Sequence, residues 1–135
     1  MTPGDHPKLE GIDREETLSM LFHSLRASRR RCVIALLDDE QAADAISTRR
    51  LARQIAGREN GQDPSQVNSI RYKNVYNALS QSHLPTLTEA RIIVYDPQRQ
   101  MIHRGPLFTL ALLLLNLNQP TVAAFYEHYS ETDAS

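Results

Sequence analysis

Apolar side chains recur at helical spacing in the middle of the chain and mark its clearest element. Five positions spaced at i, i+3, i+4, i+7 and i+11 share one helix face: Tyr72, Val75, Tyr76, Leu79 and His83. We predict a long helix that begins at Pro64, with Asp63 as its N-cap. Its other side holds polar and basic residues and no carboxylate: Ser69, Arg71, Lys73, Asn74, Asn77, Ser80 and Gln81.

A second helix is predicted directly before this one. Ser47 or Thr48 is placed to cap a helix from Arg49 to Arg58, and Asn60-Gly61 supplies a left-handed stop. Two helices joined by a short connection are typical of a helix-turn-helix unit, so the long helix becomes the predicted DNA-recognition helix. The simpler alternative is an amphipathic helix whose polar face only meets solvent.

The segments around this unit complete a small domain. Upstream, the pattern predicts helices at Glu15–Leu25 and Arg29–Leu37, the latter capped by Ser28, and a short strand at 45–47. Downstream, Pro85 is expected to stop the recognition helix, and a short helix follows through Leu84 and Leu87. His83 beside this proline either caps the helix end or senses pH.

A β-hairpin is predicted after these helices. The strand Ile92–Tyr95 is rich in β-branched and aromatic residues, a turn follows, and Met101–Arg104 returns. Beside a helix-turn-helix unit, this hairpin is the predicted wing, with Arg99 near its tip.

The C-terminal tail has no charged residue from Leu107 to Tyr126. We predict two short helices, 107–118 and 120–129, broken at Pro120. Helices apolar on nearly all sides must be covered, and a second copy of the chain is the expected cover. A membrane span is disfavoured, because polar residues interrupt the tail at Asn116, Asn118 and Gln119 and no Lys or Arg follows.

These elements predict a mainly α fold with a small β-hairpin (α+β), namely a winged helix-turn-helix with C-terminal dimerisation helices. Residues 1–14 are expected to form a flexible N-terminal arm, and residues 15–105 the winged helix-turn-helix domain. Residues 106–130 form the apolar helical tail, and residues 131–135 a disordered end.

The basic residues are concentrated in the middle of the chain, although the net charge is only −1. Residues 1–48 and 105–135 each carry a net charge of −3, whereas residues 49–104 carry +5. The positive segment holds the predicted helix-turn-helix and hairpin, as expected for a phosphate-binding surface. Thirteen of the 15 basic residues are Arg, which favours planar bidentate contacts but is also a composition effect of GC-rich genomes.

Other classes of function find little support in the sequence. The single cysteine, Cys32, excludes an intrachain disulfide and fits a cytoplasmic location, and the polar N-terminal segment has no apolar signal core. The five histidines lack metal-ligand spacing, and no phosphate-binding glycine loop or nucleophile motif occurs. We therefore expect no metal, no cofactor and no enzymatic activity.

Two segments resemble a known domain family. The segment from Leu51 to Glu59, Leu-Ala-Arg-Gln-Ile-Ala-Gly-Arg-Glu, and the segment from His83 to Leu87, His-Leu-Pro-Thr-Leu, are its most specific parts. They resemble an uncharacterised winged-helix domain common in haloarchaea, over roughly residues 15–104. The resemblance implies a winged-helix fold and, by fold analogy, a DNA-binding, transcription-regulator-like role. The apolar tail lies outside the family pattern.

We therefore expect a homodimer that binds double-stranded DNA and places two recognition helices in successive major grooves. The residues expected to face the groove are Arg71, Lys73, Asn74 and Asn77, and Ser69 is a further expected DNA contact. Arg49, Arg50 and Arg53 would hold phosphates, and Arg99 would contact the backbone or the minor groove. The alternatives are a winged helix that binds another protein through the tail, without DNA, and a regulator tethered to a membrane by the tail.

Overall fold

The computed structural model describes residues 13–39 and 45–133, which form a mainly helical fold with one small sheet. The helices are α1 (Arg14–Leu25), α2 (Ser28–Asp38), α3 (Thr48–Asn60), α4 (Ser69–Ala78), α5 (Leu84–Glu89) and α6 (Phe108–Asp133). The strands are β1 (Ala45–Ser47), β2 (Ile93–Asp96) and β3 (Met101–Arg104). Residues 1–12 of the predicted flexible arm, and residues 134–135 of the predicted disordered end, lie outside the described residues.

The first turn of α2 closes the end of α1. Ser28 is the first residue of α2 and not its cap, and no side chain caps that helix. Arg30, only 6% exposed, and Arg31 instead point back at α1. Between them they donate hydrogen bonds of 2.6–2.9 Å to four carbonyls, those of His23, Ser24, Leu25 and Arg26. Carbonyls at a helix end lack intrahelical partners, so these arginines satisfy them and fix the angle between α1 and α2.

Arg29 joins α2 to α3. Its guanidinium donates two hydrogen bonds to the carboxylate of Glu59, at 2.8 and 2.9 Å. Hydrogen bonding to Glu59 is the main cause that raises the pKa of Arg29, and the negative charge of Glu59 raises it further. All three basic residues of the run Arg29–Arg31 therefore have partners inside the chain.

Helix α3 has the predicted cap and the predicted stop, and it is longer than the predicted Arg49–Arg58 by one residue at its start and two at its end. The Ser47 hydroxyl accepts a hydrogen bond from the backbone N–H of Arg50, and Gly61 closes the helix in the left-handed conformation at φ 61°. The following connection folds back onto the helix, and the N–H of Gln62 donates to the carbonyl of Gly57 at 2.9 Å. A Cβ at residue 57 would lie 2.8 Å from the Gln62 carbonyl oxygen, so glycine permits this close approach.

Helix α4 begins later than predicted. Asp63 does cap a helical segment, but only a single 3-10 turn, Pro64–Gln66. Val67 then adopts an extended conformation and is buried, which interrupts the helix. Asn68 provides a second cap, accepting a hydrogen bond from the N–H of Arg71, and α4 starts at Ser69. A long helix beginning at Pro64 is therefore wrong, because burial of Val67 outweighs the first cap.

Pro85 is predicted to stop the recognition helix, but the backbone stays helical through it. Between α4 and α5 the chain forms one π turn, Leu79–His83, in which the N–H of Leu84 donates to the carbonyl of Leu79. Proline has no N–H to donate and its ring crowds the preceding turn. The extra residue of the π turn widens the helix just before Pro85, and backbone helicity continues without a break from residue 69 to residue 89.

The three strands form one antiparallel sheet in the order β1-β3-β2. Ile46 of β1 pairs with Ile102 of β3, which pairs on its other side with Tyr95 of β2. The predicted short strand and the predicted hairpin are thus one sheet. The core packs between this sheet and the helices, and its fully buried side chains include Ile34, Leu37, Leu51, Ile55, Leu79, Leu84, Leu87, Ile92, Ile93 and Ile102.

The tail is one helix and not two. Helix α6 runs through Pro120 without ending. Side chains on either side of the proline hydrogen-bond the preceding turn, Asn118 to the Leu114 carbonyl at 2.6 Å and Thr121 to the Leu117 carbonyl at 3.1 Å. Pro120 has no backbone N–H, so α6 lacks one backbone hydrogen bond at this point. The loss costs least where a helix is exposed, as α6 is here.

Only the first part of α6 packs on the domain. Phe108, Ala111 and Leu115 are buried, whereas residues 116–130 are exposed. By length and composition, residues 108–130 are apolar enough to cross a membrane, with 17% of the most apolar window buried in the fold.

Candidate nucleic-acid interface

The exposed face of α4 is formed by residues at helical spacing. Ile70, Lys73, Asn74 and Asn77 follow each other at i, i+3, i+4 and i+7, and all four are exposed. Val75 and Leu79 face the other way and are buried, with Tyr72 and Tyr76 half-buried between the two faces. The predicted apolar and polar faces of this helix therefore both hold over residues 69–79.

Two contacts fix α4 against α3. The guanidinium of Arg53 lies over the ring of Tyr72, 4.5 Å from its centroid. Arg71 donates a hydrogen bond to the side-chain carbonyl of Asn60, whose amide in turn donates to the Ala56 carbonyl at 2.7 Å. Both arginines keep their charge at the surface while they set the packing of the two helices.

The hairpin turn is tied to both helices through Gln100. The Gln100 carbonyl accepts hydrogen bonds from the N–H and the hydroxyl of Thr48, at 2.9 and 3.2 Å, at the start of α3. The Gln100 side chain accepts a 2.8 Å hydrogen bond from the hydroxyl of Tyr76 on α4. Gln100 has φ 53°, an unusual conformation for a residue other than glycine. One residue thus connects the hairpin turn, the start of α3 and the side of α4.

This connection also places three arginines. Arg49 and Arg50 follow Thr48 in the first turn of α3 and are exposed, and Arg99 precedes Gln100 in the hairpin turn. Since Thr48 and Gln100 are hydrogen-bonded, the two arginine-bearing turns lie side by side at one end of the sheet, where β1 ends and β3 begins. The Arg99 side chain is 84% exposed and lies 4.0 Å from the Asp96 carboxylate, a distance at which a surface ion pair contributes little.

The acidic residues near this surface have partners within the chain, including Asp63, whose carboxylate accepts hydrogen bonds from Ser65. Glu59, the only acidic residue of α3 and α4, is held by Arg29. Asp96 accepts hydrogen bonds from the N–H groups of Gln98 and Arg99 within the hairpin turn. Among the described residues, the surface formed by α3, α4 and the turn therefore presents mainly cationic and amide groups.

The predicted contact residues lie on three elements that contact each other, α3, α4 and the hairpin turn. Those on α3 are Arg49, Arg50 and Arg53, those on α4 are Ser69, Arg71, Lys73, Asn74 and Asn77, and Arg99 lies on the turn. Arg53 and Arg71 are partly committed to holding α3 and α4 together. Sequence analysis missed Ile70, which is 71% exposed in the middle of the polar face. Its position, three residues before Lys73 and four before Asn74, was the available signal.

A family model matches the part of the chain that carries these residues. Residues 22–103 match a protein family described as Domain of unknown function (DUF7344), which is more than half of the 135 residues. The chain belongs to this family. The DUF7344 span contains α2 to α5, the sheet except Arg104, and every residue predicted to contact DNA, but none of α6. No curated protein and no solved structure matches the chain. The match therefore supports a family of unknown function, and the winged-helix and regulator character implied by the resemblance stays a prediction.

Proposed function

We propose that this chain is a non-enzymatic, cytoplasmic winged helix-turn-helix protein that binds double-stranded DNA as a homodimer and regulates transcription. Helix α4 enters the major groove, α3 and the hairpin turn contact phosphates, and two copies present two α4 helices to successive grooves.

The exposed face of α4 carries this proposal. It is free of carboxylates and combines Lys73 with two amides, and α4 contacts both α3 and the hairpin turn, the two elements that carry Arg49, Arg50 and Arg99. Asn side chains pair with adenine edges, Lys with guanine edges or phosphates, and an exposed isoleucine fits the methyl group of thymine.

The arrangement of the elements supports the winged form of the motif. Helices α3 and α4 follow each other through a short connection, and the β2–β3 hairpin lies beside them. The Tyr76–Gln100 hydrogen bond holds the hairpin turn against α4, as required if both are to contact one duplex.

The residues divide into two roles. Arg49, Arg50 and Arg99 are unburied and suited to phosphate contacts, which give affinity without sequence preference. Lys73, Asn74 and Asn77 lie where base edges would be read. Ser69 opens α4, where its hydroxyl and the positive end of the helix dipole suit a phosphate.

A direct test is binding of the full chain to a labelled mixed-sequence duplex at low salt, followed by fluorescence anisotropy. The variant Arg71→Glu with Lys73→Glu should lose binding, whereas Arg14→Glu, a charge reversal in the first turn of α1, should bind as the wild type does. Absence of duplex binding, or equal effects of the two variants, would refute the proposal. Recovery of the DNA bound in cells then identifies the operator.

A protein-binding module without DNA is the second candidate, and the exposed half of α6 favours it. In that case the chain would bind no duplex and would co-purify with another protein. A membrane-tethered regulator would instead partition into vesicles through α6.

A further inference from the structure

One face of α6 is buried at its start and exposed at its end. Phe108, Ala111, Leu115, Asn118, Val122, Phe125 and Tyr129 follow each other at alternating spacings of three and four residues, which places them on one stripe of the helix. The first three pack into the domain at 0–5% exposure. Val122, Phe125 and Tyr129 continue the same stripe at 52–59% exposure. The packed seam of α6 thus extends about four turns beyond the domain that covers its first part.

A groove lies where α6 leaves the domain. Its volume is about 930 Å³. One wall is the end of α1 with Phe22 and Leu25, and the other is α6 from Leu115 to Ala123. Phe22 is 53% exposed. The groove is therefore continuous with the exposed stripe, and both lack a partner within the described residues.

We infer that this groove receives the C-terminal half of α6 from a second copy of the chain. The two helices pack antiparallel, with the two-fold axis at the level of Val122. This inference rests on the homodimer of the proposed function and specifies its interface.

The antiparallel arrangement follows from the extent of the stripe. Val122 is the midpoint between Leu115, the last buried position, and Tyr129, the last apolar one. Rotation about an axis there places Phe125 and Tyr129 of the second copy opposite residues 115–119, in the groove. Because a two-fold interface is isologous, each copy fills the groove of the other with the same residues. Aromatic side chains seated in a groove are typical anchors of protein interfaces.

Charge is compatible with this occupant. The groove is lined by Arg26, Arg31 and His23 and by no acidic residue. Residues 116–135 contain three acidic residues and no Lys or Arg. The half of α6 that enters the groove is therefore negative where the groove is positive. A lipid occupant fits less well, because Asn116, Asn118 and Gln119 stand in the middle of the helix and acidic residues end it.

Light scattering of the full chain without DNA tests the inference. We expect a mass of twice 15.3 kDa. Phe125→Glu should weaken the dimer by at least about tenfold, because it removes an anchor of the groove. Leu117→Glu is the matched control, since Leu117 is 69% exposed on the opposite side of the same helix, and it should remain dimeric. Circular dichroism establishes that both variants keep their helices.

Cysteine cross-linking gives a second test of the axis. In a Cys32→Ala background, Val122→Cys should form an intersubunit disulfide under mild oxidation, because equivalent residues meet at a two-fold axis, whereas Leu117→Cys should not.

Four outcomes would overturn the inference: a monomer, a dimer weakened equally by both Glu variants, cross-linking at residue 117 in place of residue 122, or α6-dependent binding to phosphatidylglycerol vesicles without a dimer in solution. Light scattering and cysteine cross-linking are both performed without DNA. Failure of the interface and failure of DNA binding are therefore distinguishable, and a monomeric Phe125→Glu variant should still bind a single half-site weakly.

Discussion

The hydroxyl of Tyr76 donates a 2.8 Å hydrogen bond to the side-chain carbonyl of Gln100 and so joins the side of α4 to the hairpin turn. The backbone carbonyl of the same Gln100 accepts from Thr48 at the start of α3. The position of the hairpin turn and of Arg99 relative to both helices therefore depends on Gln100, a residue in a left-handed conformation.

Removal of this bond should affect binding more than stability. Tyr76→Phe deletes one exposed hydrogen bond, and we expect a loss of about 0.5–1 kcal/mol in the free energy of unfolding. Duplex affinity should fall several-fold more than the small loss of folded protein would cause, since the hairpin turn is no longer held to α4. Tyr72→Phe, which keeps the ring beneath Arg53, serves as the control. Urea denaturation and anisotropy measure the two effects, and unchanged affinity would show that the hairpin does not need this tether.

The arginines that bind the carbonyls at the end of α1 should contribute more to the free energy of unfolding than exposed arginines do. Arg30→Met deletes hydrogen bonds to the carbonyls of His23 and Ser24, and we expect a loss of about 2–3 kcal/mol in stability because those carbonyls stay partly buried. Arg49→Met, on an exposed arginine, should change stability by less than about 0.5 kcal/mol. Equal midpoints of the two variants in urea would contradict this role for Arg30.

The pH dependence of stability should contain a contribution from His83. Burial, and then the positive charges of Arg30 and Arg29, lower the pKa of His83 below its ordinary 6.5, with Glu59 opposing them. Its Nδ1 is buried and has no hydrogen-bond partner. The unfolded chain therefore takes up the proton at a higher pH than the folded protein does.

The stability linked to His83 is complete above pH 6.5 and is lost as the pH falls through the lowered pKa of the folded protein. Denaturation at pH 7.5 and at pH 5.5 should show a smaller difference for His83→Gln than for the wild type. The exposed His23, His103 and His128 are common to both proteins, so an unchanged difference would exclude His83 as the source.

Ile70 should make binding sensitive to the methyl group of thymine. Once a bound sequence is selected from a random pool, replacing contacted thymines with deoxyuridine should weaken binding roughly two- to fourfold per methyl group, given about 0.8 kcal/mol per buried carbon. Ile70→Ala should abolish the difference between the two duplexes, whereas Asn77→Ala should weaken binding to both alike. Insensitivity of the wild type to deoxyuridine would remove Ile70 from the interface.

Local signals predicted most of the elements, and competing signals explain the errors. Ser47 and Gly61 fixed the limits of α3, because each acts through its own backbone geometry. Two possible caps, Asp63 and Asn68, compete for the start of α4, and only burial of Val67 decides between them. A residue's burial depends on the whole fold and is not visible in its neighbours.

The two prolines show the same limit. Pro85 and Pro120 are both predicted to break a helix. Instead, a π turn with one extra residue precedes Pro85, and α6 continues through Pro120. Proline forbids one hydrogen bond, and the sequence does not reveal whether a π turn or a side chain compensates for it. The positions of the predicted contact residues on α3, on the exposed side of α4 and in the hairpin turn follow from local patterns, whereas their contact with DNA stays a prediction.

The salt dependence of duplex binding tests the central proposal most directly. We predict that the logarithm of the association constant falls linearly with the logarithm of salt concentration, with a slope near −0.9 for each phosphate neutralised. Arg49→Ala and Arg99→Ala should each make the slope less steep by about one, while Arg14→Ala leaves it unchanged. A chain that binds no duplex at low salt, or a slope that none of these arginines alters, would contradict the proposal.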